Sequence, residues 1–132
     1  MLMVDFVTNL DEDTVETNFK IEPDCIFVTD NILSECGLIE NAAQTCSSIV
    51  GKSYFAEDDL EGLTNDVIGF ISVIKSIHIY QLPMVKQLIT TKANLISRFD
   101  TESYSICTIK CTIENDTTLL ADCEMNLFIQ EV

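Results

Sequence analysis

The sequence predicts an α+β domain in which a curved antiparallel β-sheet wraps around one long buried helix. The first observation is a stretch, residues 31–51, that is apolar on nearly every side when it is drawn as a helix. The second is the chain from residue 67 onward, where apolar and polar residues alternate over strands longer than the usual length of about five or six residues. A long apolar helix and a wide sheet bury each other most economically when the sheet surrounds the helix.

A β-hairpin is predicted before the helix. Residues 1–8 are mainly apolar and predict a strand, and residues 9–13 carry three acidic side chains that are typical of a turn. Residues 14–21 alternate apolar or β-branched with polar side chains, which predicts the second strand. Glu-Pro-Asp at residues 22–24 ends the hairpin, and a short apolar segment, residues 25–28, leads to the helix.

The predicted helix, residues 31–51, has signals for both of its ends. Asn31 or Ser34 can accept hydrogen bonds from the first free backbone N–H groups, and Gly51 is a natural left-handed end. The apolar positions are Leu33, Leu38, Ile39, Ala42, Ala43, Cys46, Ile49 and Val50. A helix that is apolar nearly all round belongs in the interior of a protein.

The same helix carries an acid, Glu40, with Gln44 one turn later on the same side. Carboxylates are rarely buried without a partner or a function. Two interpretations follow: Glu40 reaches a cleft and has a role in a site, or it is a paired structural acid.

Four long strands are predicted after the helix. Residues 52–65 are polar and acidic and predict a loop or short helix that crosses the surface. The strands are predicted at residues 68–80, 87–99, 104–113 and 118–129, with turns between them. Because one helix cannot cover a sheet this wide and an exposed edge invites pairing, we expect an edge-to-edge or helix-to-helix dimer.

Length and composition bound the class of protein. The 132 residues suffice for one domain, residues 1–132, and 47% hydrophobic with 22% charged residues is typical of a chain that folds. The net charge of −15 argues against nucleic acid and anionic membranes as partners. No apolar run is long enough for a transmembrane span, and the first residues lack the basic start of a signal peptide, so we expect a cytoplasmic protein.

The six cysteines are predicted to be reduced residues of the core. They form no Cys-x-x-Cys pair, and Cys36 and Cys46 lie in the apolar helix. The chain has a single histidine, His78, and the cysteines lack the spacing of metal ligands. We therefore expect no metal site and no cofactor.

Several segments resemble one enzyme family. Residues 37–44, Gly-Leu-Ile-Glu-Asn-Ala-Ala-Gln, resemble the central-helix motif of β-hydroxyacyl-acyl-carrier-protein dehydratases, in which a Glu or Asp is followed four residues later by Gln. Residues 1–5, 77–83, 107–113 and 121–125 are similar to strands of that family. The resemblance implies the hotdog fold and the removal of water from 3-hydroxyacyl thioesters in fatty-acid or polyketide- or pigment-type lipid synthesis. It also implies an acyl carrier protein or acyl-CoA thioester as partner.

The resemblance assigns Glu40 as the catalytic acid. In the family this acid works with a histidine of an upstream His-Phe-Pro-Gly segment, and counting back from Glu40 places that histidine at Ile26. Phe27 matches the family phenylalanine, whereas the histidine, proline and glycine are absent. Because the dehydration needs a base near neutral pH and an acid that stays partly protonated, the chain is expected to supply half of a site.

The resemblance also points to residues that contact the substrate. The family donates main-chain N–H groups to the thioester oxygen near the helix start, at the position of Glu35 beside Cys36. Gln44, Phe27 and Cys36 are the predicted substrate-binding residues. For Gln44, holding Glu40 or a neighbouring backbone group is the stronger expectation, and for Phe27 it is a place in the core or in a tunnel wall.

The remaining polar candidates fall on the strands. His78 is expected to be a surface or hydrogen-bonded strand residue, because it matches no catalytic position of the family. Five basic residues of the second half either form a patch for an acidic carrier protein or are scattered over the surface. They are Lys75, Lys86, Lys92, Arg98 and Lys110.

Three functions remain open from the sequence. The chain is the acid-bearing subunit of a dehydratase, either as a homodimer or, since the histidine is missing, as a heterodimer with a histidine-bearing hotdog subunit. The second hypothesis is a non-catalytic module that binds acyl thioesters or acyl carriers. The third is an acyl-thioesterase that uses Glu40 and a water molecule. All three need the same fold, so the site has to discriminate between them.

Overall fold

One helix and eight strands make up the described part of the chain. The structure is a computed structural model that describes residues 2–11, 13–54, 67–116 and 118–131. The elements in chain order are β1 Phe6–Leu10, β2 Thr14–Lys20, β3 Val28–Thr29, β4 Ile32–Leu33, α1 Glu35–Tyr54, β5 Val67–Ile79, β6 Leu88–Asp100, β7 Tyr104–Asn115 and β8 Thr118–Glu131.

Six of the strands form one antiparallel sheet around α1. Their order is β1-β2-β6-β7-β8-β5, while β3 and β4 form a separate two-stranded sheet before the helix. Irregular pairing between Ile71 and Val73, and between Leu95 and Ser97, interrupts the long strands. Such bulges increase the local twist and bend a sheet. The predicted sheet that wraps one helix is therefore confirmed, as are the four long strands after the helix.

The first strand differs from its prediction. A strand was expected over residues 1–8, but β1 begins at Phe6, and residues 2–4 have no regular secondary structure. The cause is at Met3, whose backbone N–H and C=O are hydrogen-bonded to side chains of α1. A backbone that uses both of its groups in this way cannot extend the sheet.

The helix begins and ends later than the sequence indicated. Asn31 has a positive φ of 65° and, with Asp30, forms the turn between β3 and β4, so it does not cap the helix. Ser34 caps it, because the Gly37 N–H lies 3.4 Å from Ser34 Oγ. Gly51 lies inside α1, where a glycine costs only modest stability, and the helix continues to Tyr54. Of the predicted surface segment, residues 52–54 belong to this helix and residues 55–65 lie outside the described residues.

The helix is less completely buried in the structure than its apolar sequence indicated. One face packs into the core through Leu38, Ala42, Cys46 and Ile49. Two polar side chains that interrupt the apolar pattern, Asn41 and Thr45, are also fully buried. On the other side Glu35, Cys36 and Ser47 are exposed, and Glu40 and Gln44 are half-buried. In a single chain, one side of the central helix is therefore left open to solvent.

All six cysteines are free, and five of them are buried. The exception is Cys36, which is exposed on the first turn of α1, contrary to its predicted place in the core. Cys111 and Cys123 lie opposite each other on β7 and β8. Contact with Cys111, followed by burial, raises the pKa of the Cys123 thiol. This pair therefore consists of protonated thiols in a packed core.

Gly37 permits the close approach of the helix to the segment before it. A Cβ at this position would lie 2.6 Å from Leu33 Cδ1 and 2.9 Å from Phe27 Cβ. We expect Gly37→Ala to lower the free energy of unfolding by about 1–3 kcal/mol in urea denaturation, since an extra methyl group in a packed contact forces its neighbours apart. Gly69→Ala is the matched control, because there the nearest atom is the flexible end of Ile129 at 3.1 Å. Equal losses in the two variants would contradict this explanation.

The described part of the chain contains no helix that is both long and apolar enough to cross a lipid bilayer.

Candidate functional site

Glu40 is held by Gln44, as the helical spacing predicted. Gln44 Nε2 donates a hydrogen bond of 3.0 Å to Glu40 Oε1. Gln44 Oε1 in turn accepts a bond of 2.6 Å from the Met3 N–H. Because both ends of the amide have partners, Gln44 fixes the carboxylate of Glu40 relative to the segment before β1. The expectation that Gln44 holds Glu40 or a neighbouring backbone group is confirmed for Glu40, and the backbone group that it also holds, at Met3, is distant in sequence.

A second amide, Asn41, was missed in the sequence. Its side chain is fully buried. Asn41 Nδ2 donates to the Met3 carbonyl at 2.7 Å, and Asn41 Oδ1 accepts a bond of 2.5 Å from Thr91 Oγ1. Asn41 thus ties the helix to β6 and to the start of the chain. The available signal was the spacing of Asn41 and Gln44, which puts two amides on one side of a helix.

The other predicted substrate-binding residues lie at the helix start, about one turn before Glu40. Phe27 is half-buried, packs against the core, and accepts a bond of 2.9 Å from the Ser34 N–H at its carbonyl. Cys36 is exposed on the first turn of α1. Ile26, which occupies the position of the family histidine, is 72% exposed. The structure therefore brings Glu40 and Gln44 into contact. Phe27 and Cys36 lie near the N-terminal end of the same helix.

An open cavity of about 400 Å³ lies between α1 and the start of the chain. Its walls are mainly apolar, and Gln44 forms part of the lining. The other lining residues are Leu2, Val4, Asp5, Val7, Ser47 and Ser48. A mainly apolar cleft with a few polar groups is typical of a small-molecule site, and Gln44 connects this one to the carboxylate of Glu40.

His78 lies on the face of the sheet that points away from the helix. Its neighbours Ile77 and Ile79 pack against the core, so the alternation of the strand directs His78 outward, where it is exposed. His78 Nδ1 is 3.1 Å from Asp122 Oδ1, and the Tyr80 hydroxyl donates to Asp122 Oδ2. Hydrogen bonds from Tyr80 and His78 lower the pKa of the Asp122 carboxyl. His78 is therefore a hydrogen-bonded surface residue, as predicted.

The basic residues of the second half are largely paired with acids of the same chain. Lys75 and Lys110 lie 3.5 Å and 3.9 Å from Glu124, and Lys92 lies 3.0 Å from Glu114. Arg98 Nε is 2.8 Å from Asp100. Four of the five residues considered for a carrier-protein patch thus already have a carboxylate beside them. This surface has mixed charge.

The family was decided by comparison of the whole chain with family models. The model of the ApeP-like family, described as ApeP dehydratase, matches residues 1–131. The chain belongs to the ApeP-like family. No protein of curated function has a sequence that matches this ApeP-like chain significantly.

Solved structures similar to this ApeP-like chain confirm the hotdog fold. The dehydratase heterocomplex ApeI:P from Xenorhabdus doucetiae contains a chain that matches with a TM-score of 0.77 at 15% identity, covering 96% of this chain and 82% of that one. A hypothetical thioesterase from Streptococcus pneumoniae TIGR4, solved with coenzyme A, matches with a TM-score of 0.68 at 12% identity, covering 96% and 85%. The PaaI protein of the phenylacetic acid degradation operon of E. coli matches with 0.68 at 9% identity, covering 96% and 78%.

Proposed function

We propose that this chain is the acid-bearing subunit of a two-chain dehydratase that acts on 3-hydroxyacyl thioesters of an acyl carrier protein or of coenzyme A. The observation that supports the proposal most strongly is that the Glu40 carboxylate is held in place while the histidine of this chain lies elsewhere. Glu40 is fixed by Gln44, while the single histidine of the chain lies on the opposite face of the sheet. Membership of the ApeP-like family, described as ApeP dehydratase, supports dehydration as the reaction class.

The reaction needs one group to remove a proton and another to supply one. A base takes the proton from C2 of the acyl chain, and the electron pair left behind forms the C2–C3 double bond. Glu40 protonates the C3 hydroxyl, which leaves as water. The proton held by the base returns to Glu40 through solvent, so the products are a 2-enoyl thioester, water and the original enzyme.

The base is proposed to come from a second hotdog subunit. Ile26 stands where the family has its histidine, and an isoleucine side chain cannot carry a proton. In hotdog dehydratases the histidine of one chain meets the acid of the other across the dimer interface, so a histidine-bearing partner completes the site at Glu40. The heterocomplex from Xenorhabdus doucetiae supports such a pairing by its similar fold. The edge strand β5, with exposed Phe70 and Val73, is the proposed contact.

The substrate is proposed to bind along the outer side of α1. The first backbone N–H groups of a helix have no acceptor within it. Ser34 already accepts from the N–H of Gly37, so the N–H groups of Glu35 and Cys36 are assigned to the thioester oxygen. The cavity of about 400 Å³ beside Gln44 is assigned to the acyl portion, and Phe27 to the wall near the thioester. Lys75 and Lys92 already pair with acids of this chain, so we assign the docking of an acidic carrier protein to the partner subunit.

Reconstitution with a histidine-bearing hotdog subunit from the same host tests the proposal. The full chain, the partner, and the co-expressed complex are each incubated with 3-hydroxyacyl thioesters, and the 2-enoyl product is measured by mass spectrometry. We expect turnover by the complex and none by this chain alone. Release of free thiol by this chain would instead identify a thioesterase. Tight binding of acyl carriers without turnover, measured by native mass spectrometry of the complex, would identify a binding module.

A further inference from the structure

A continuous series of hydrogen bonds connects β6 with the carboxylate of Glu40. The Thr91 hydroxyl on β6 donates to Asn41 Oδ1 at 2.5 Å, and Asn41 Nδ2 donates to the Met3 carbonyl at 2.7 Å. The Met3 N–H donates to Gln44 Oε1 at 2.6 Å, and Gln44 Nε2 donates to Glu40 Oε1 at 3.0 Å. Every donor in this series lies on the side of the strand and every acceptor on the side of Glu40.

The inner part of the series is closed to water. Thr91, Asn41 and Met3 are each fully buried, whereas Gln44 and Glu40 are half-buried on the open side of α1. A buried polar group that loses its partner finds no water to replace it, so a fully satisfied buried network holds one geometry. The series is therefore anchored firmly in the core and ends at the candidate site.

Met3 links the two amide side chains. Its N–H and its C=O belong to the two planar peptide groups on either side of its Cα, so the direction of one constrains the direction of the other. Its side chain is held separately, since Cys25 Sγ lies 3.8 Å from Met3 Sδ. Asn41 therefore determines the orientation of the peptide groups of Met3 more than its presence in the core.

The Met3 N–H in turn selects the orientation of the Gln44 amide. A glutamine side chain has an oxygen that accepts and an NH₂ group that donates. With the oxygen on the Met3 N–H, the NH₂ group points to Glu40. The reversed amide would face the carboxylate with its oxygen and would lose both bonds.

We propose that Thr91 and Asn41 are positioning residues for Glu40, which they hold through the backbone of Met3 and the amide of Gln44. The inference rests on the proposed function, in which Glu40 is the acid. Because Thr91 and Asn41 are fully buried, they do not touch the substrate. Their loss is expected to slow proton transfer without weakening the binding of the thioester.

The same bonds determine which oxygen of Glu40 delivers the proton. Oε1 accepts the N–H of Gln44, so it acts as the carbonyl oxygen of the protonated carboxyl group. The acidic proton is then carried by Oε2, which donates it to the C3 hydroxyl of the substrate. A change in the direction of the Gln44 amide turns Oε2 away from that hydroxyl.

The sheet contains a matched residue for a control. Thr17 on β2 pairs in register with Thr91 on β6 and is also fully buried. The hydroxyl of Thr17 is 2.8 Å from that of Thr45 on α1. Both threonines thus join a strand to the same helix by a buried hydroxyl, and of the two it is Thr91 whose partner, Asn41, bonds to Met3.

Steady-state kinetics of the reconstituted two-subunit complex compare Thr91→Val with Thr17→Val. Valine has the shape of threonine without the hydroxyl, so each variant breaks one buried bond, and both should lose stability to a similar extent in urea denaturation. We expect Thr91→Val to lower kcat by about tenfold or more with KM nearly unchanged, because a displacement of about 1 Å at a reacting group costs about 10²-fold.

Thr17→Val should keep kcat within a few-fold of wild type. Thr91→Ser, which retains the hydroxyl, should restore the wild-type rate. Equal losses of kcat in the two valine variants would overturn the proposal, since a loss of stability alone would then account for both.

A measurement on the full chain without a partner separates this inference from the proposed function. The side-chain NH₂ signals of Gln44 in two-dimensional proton–nitrogen NMR report the bond to Glu40. We expect these signals to move further in Thr91→Val than in Thr17→Val. Such a shift together with an inactive wild-type complex would support the positioning of Glu40 and count against the proposed function. Gln44 signals that move no further in Thr91→Val than in Thr17→Val would overturn the inference, even in an active complex.

Discussion

Replacing Glu40 with Gln is expected to lower the dehydration rate of the two-subunit complex by about 10²–10⁴-fold, the contribution of a positioned general acid. The amide has the shape of the carboxylate and can still accept the hydrogen bond from Gln44, so the site keeps its geometry and loses only the proton. The loss should appear in kcat and leave KM for the thioester nearly unchanged. Product formation in single-turnover and steady-state experiments measures both.

Glu35→Gln provides the control for the Glu40 variant. Glu35 is an exposed acid on the first turn of the same helix, and its loss changes the net charge by the same amount. We expect Glu35→Gln to retain activity within a few-fold of wild type, or to gain slightly if the carboxylate competes with the thioester oxygen for the helix N–H groups. Full activity of Glu40→Gln in the complex would refute the assignment of Glu40 as the acid.

Replacing Asn41 with Ala is expected to lower the free energy of unfolding by about 2–6 kcal/mol, because each buried polar group that loses its partner costs about 1–3 kcal/mol. Two such groups are left behind: the Met3 carbonyl and the Thr91 hydroxyl, both fully buried. Urea denaturation followed by circular dichroism measures the loss.

Asn94→Ala is the control for the Asn41 variant. Asn94 is exposed on β6, the strand that also carries Thr91, so its truncation removes a similar side chain without leaving a buried group unpaired. A loss for Asn41→Ala no larger than that for Asn94→Ala would show that the bonds of Asn41 contribute nothing net to stability.

The parts of the fold that follow a regular period were predictable from the sequence. The alternation in residues 104–113 and 118–129 indicated strands that the structure confirms, because one face of each is buried against α1. Residues 2–4 could not be predicted in the same way. Their conformation depends on hydrogen bonds from the Met3 backbone to side chains of α1 that are distant in sequence. The local pattern of apolar and polar residues does not indicate bonds of this kind.

The candidate site was predictable where its residues are neighbours on one helix. The spacing of Glu40 and Gln44 alone indicates their contact. Asn41 was missed because a polar residue in an apolar helix carries no sign of whether it meets solvent or a buried partner, and here the partners come from β6 and from Met3. The exposure of Cys36 was missed for a similar reason, since the sequence shows which sides of a helix are apolar and not which side the sheet leaves open.

The bonds of Asn41 also fix an order of events during synthesis. Met3 is separated from Asn41 by 38 positions, and Asn41 from Thr91 by 50. Met3 is synthesised before Asn41 and Thr91, so the hydrogen bonds that hold it in place are complete only after β6 has been made. Contacts between distant parts of a sequence form late because the loop between them must first be closed. The segment around Met3 is therefore expected to be locked into the native state late, and the wall that it contributes to the cavity beside Gln44 is finished only then.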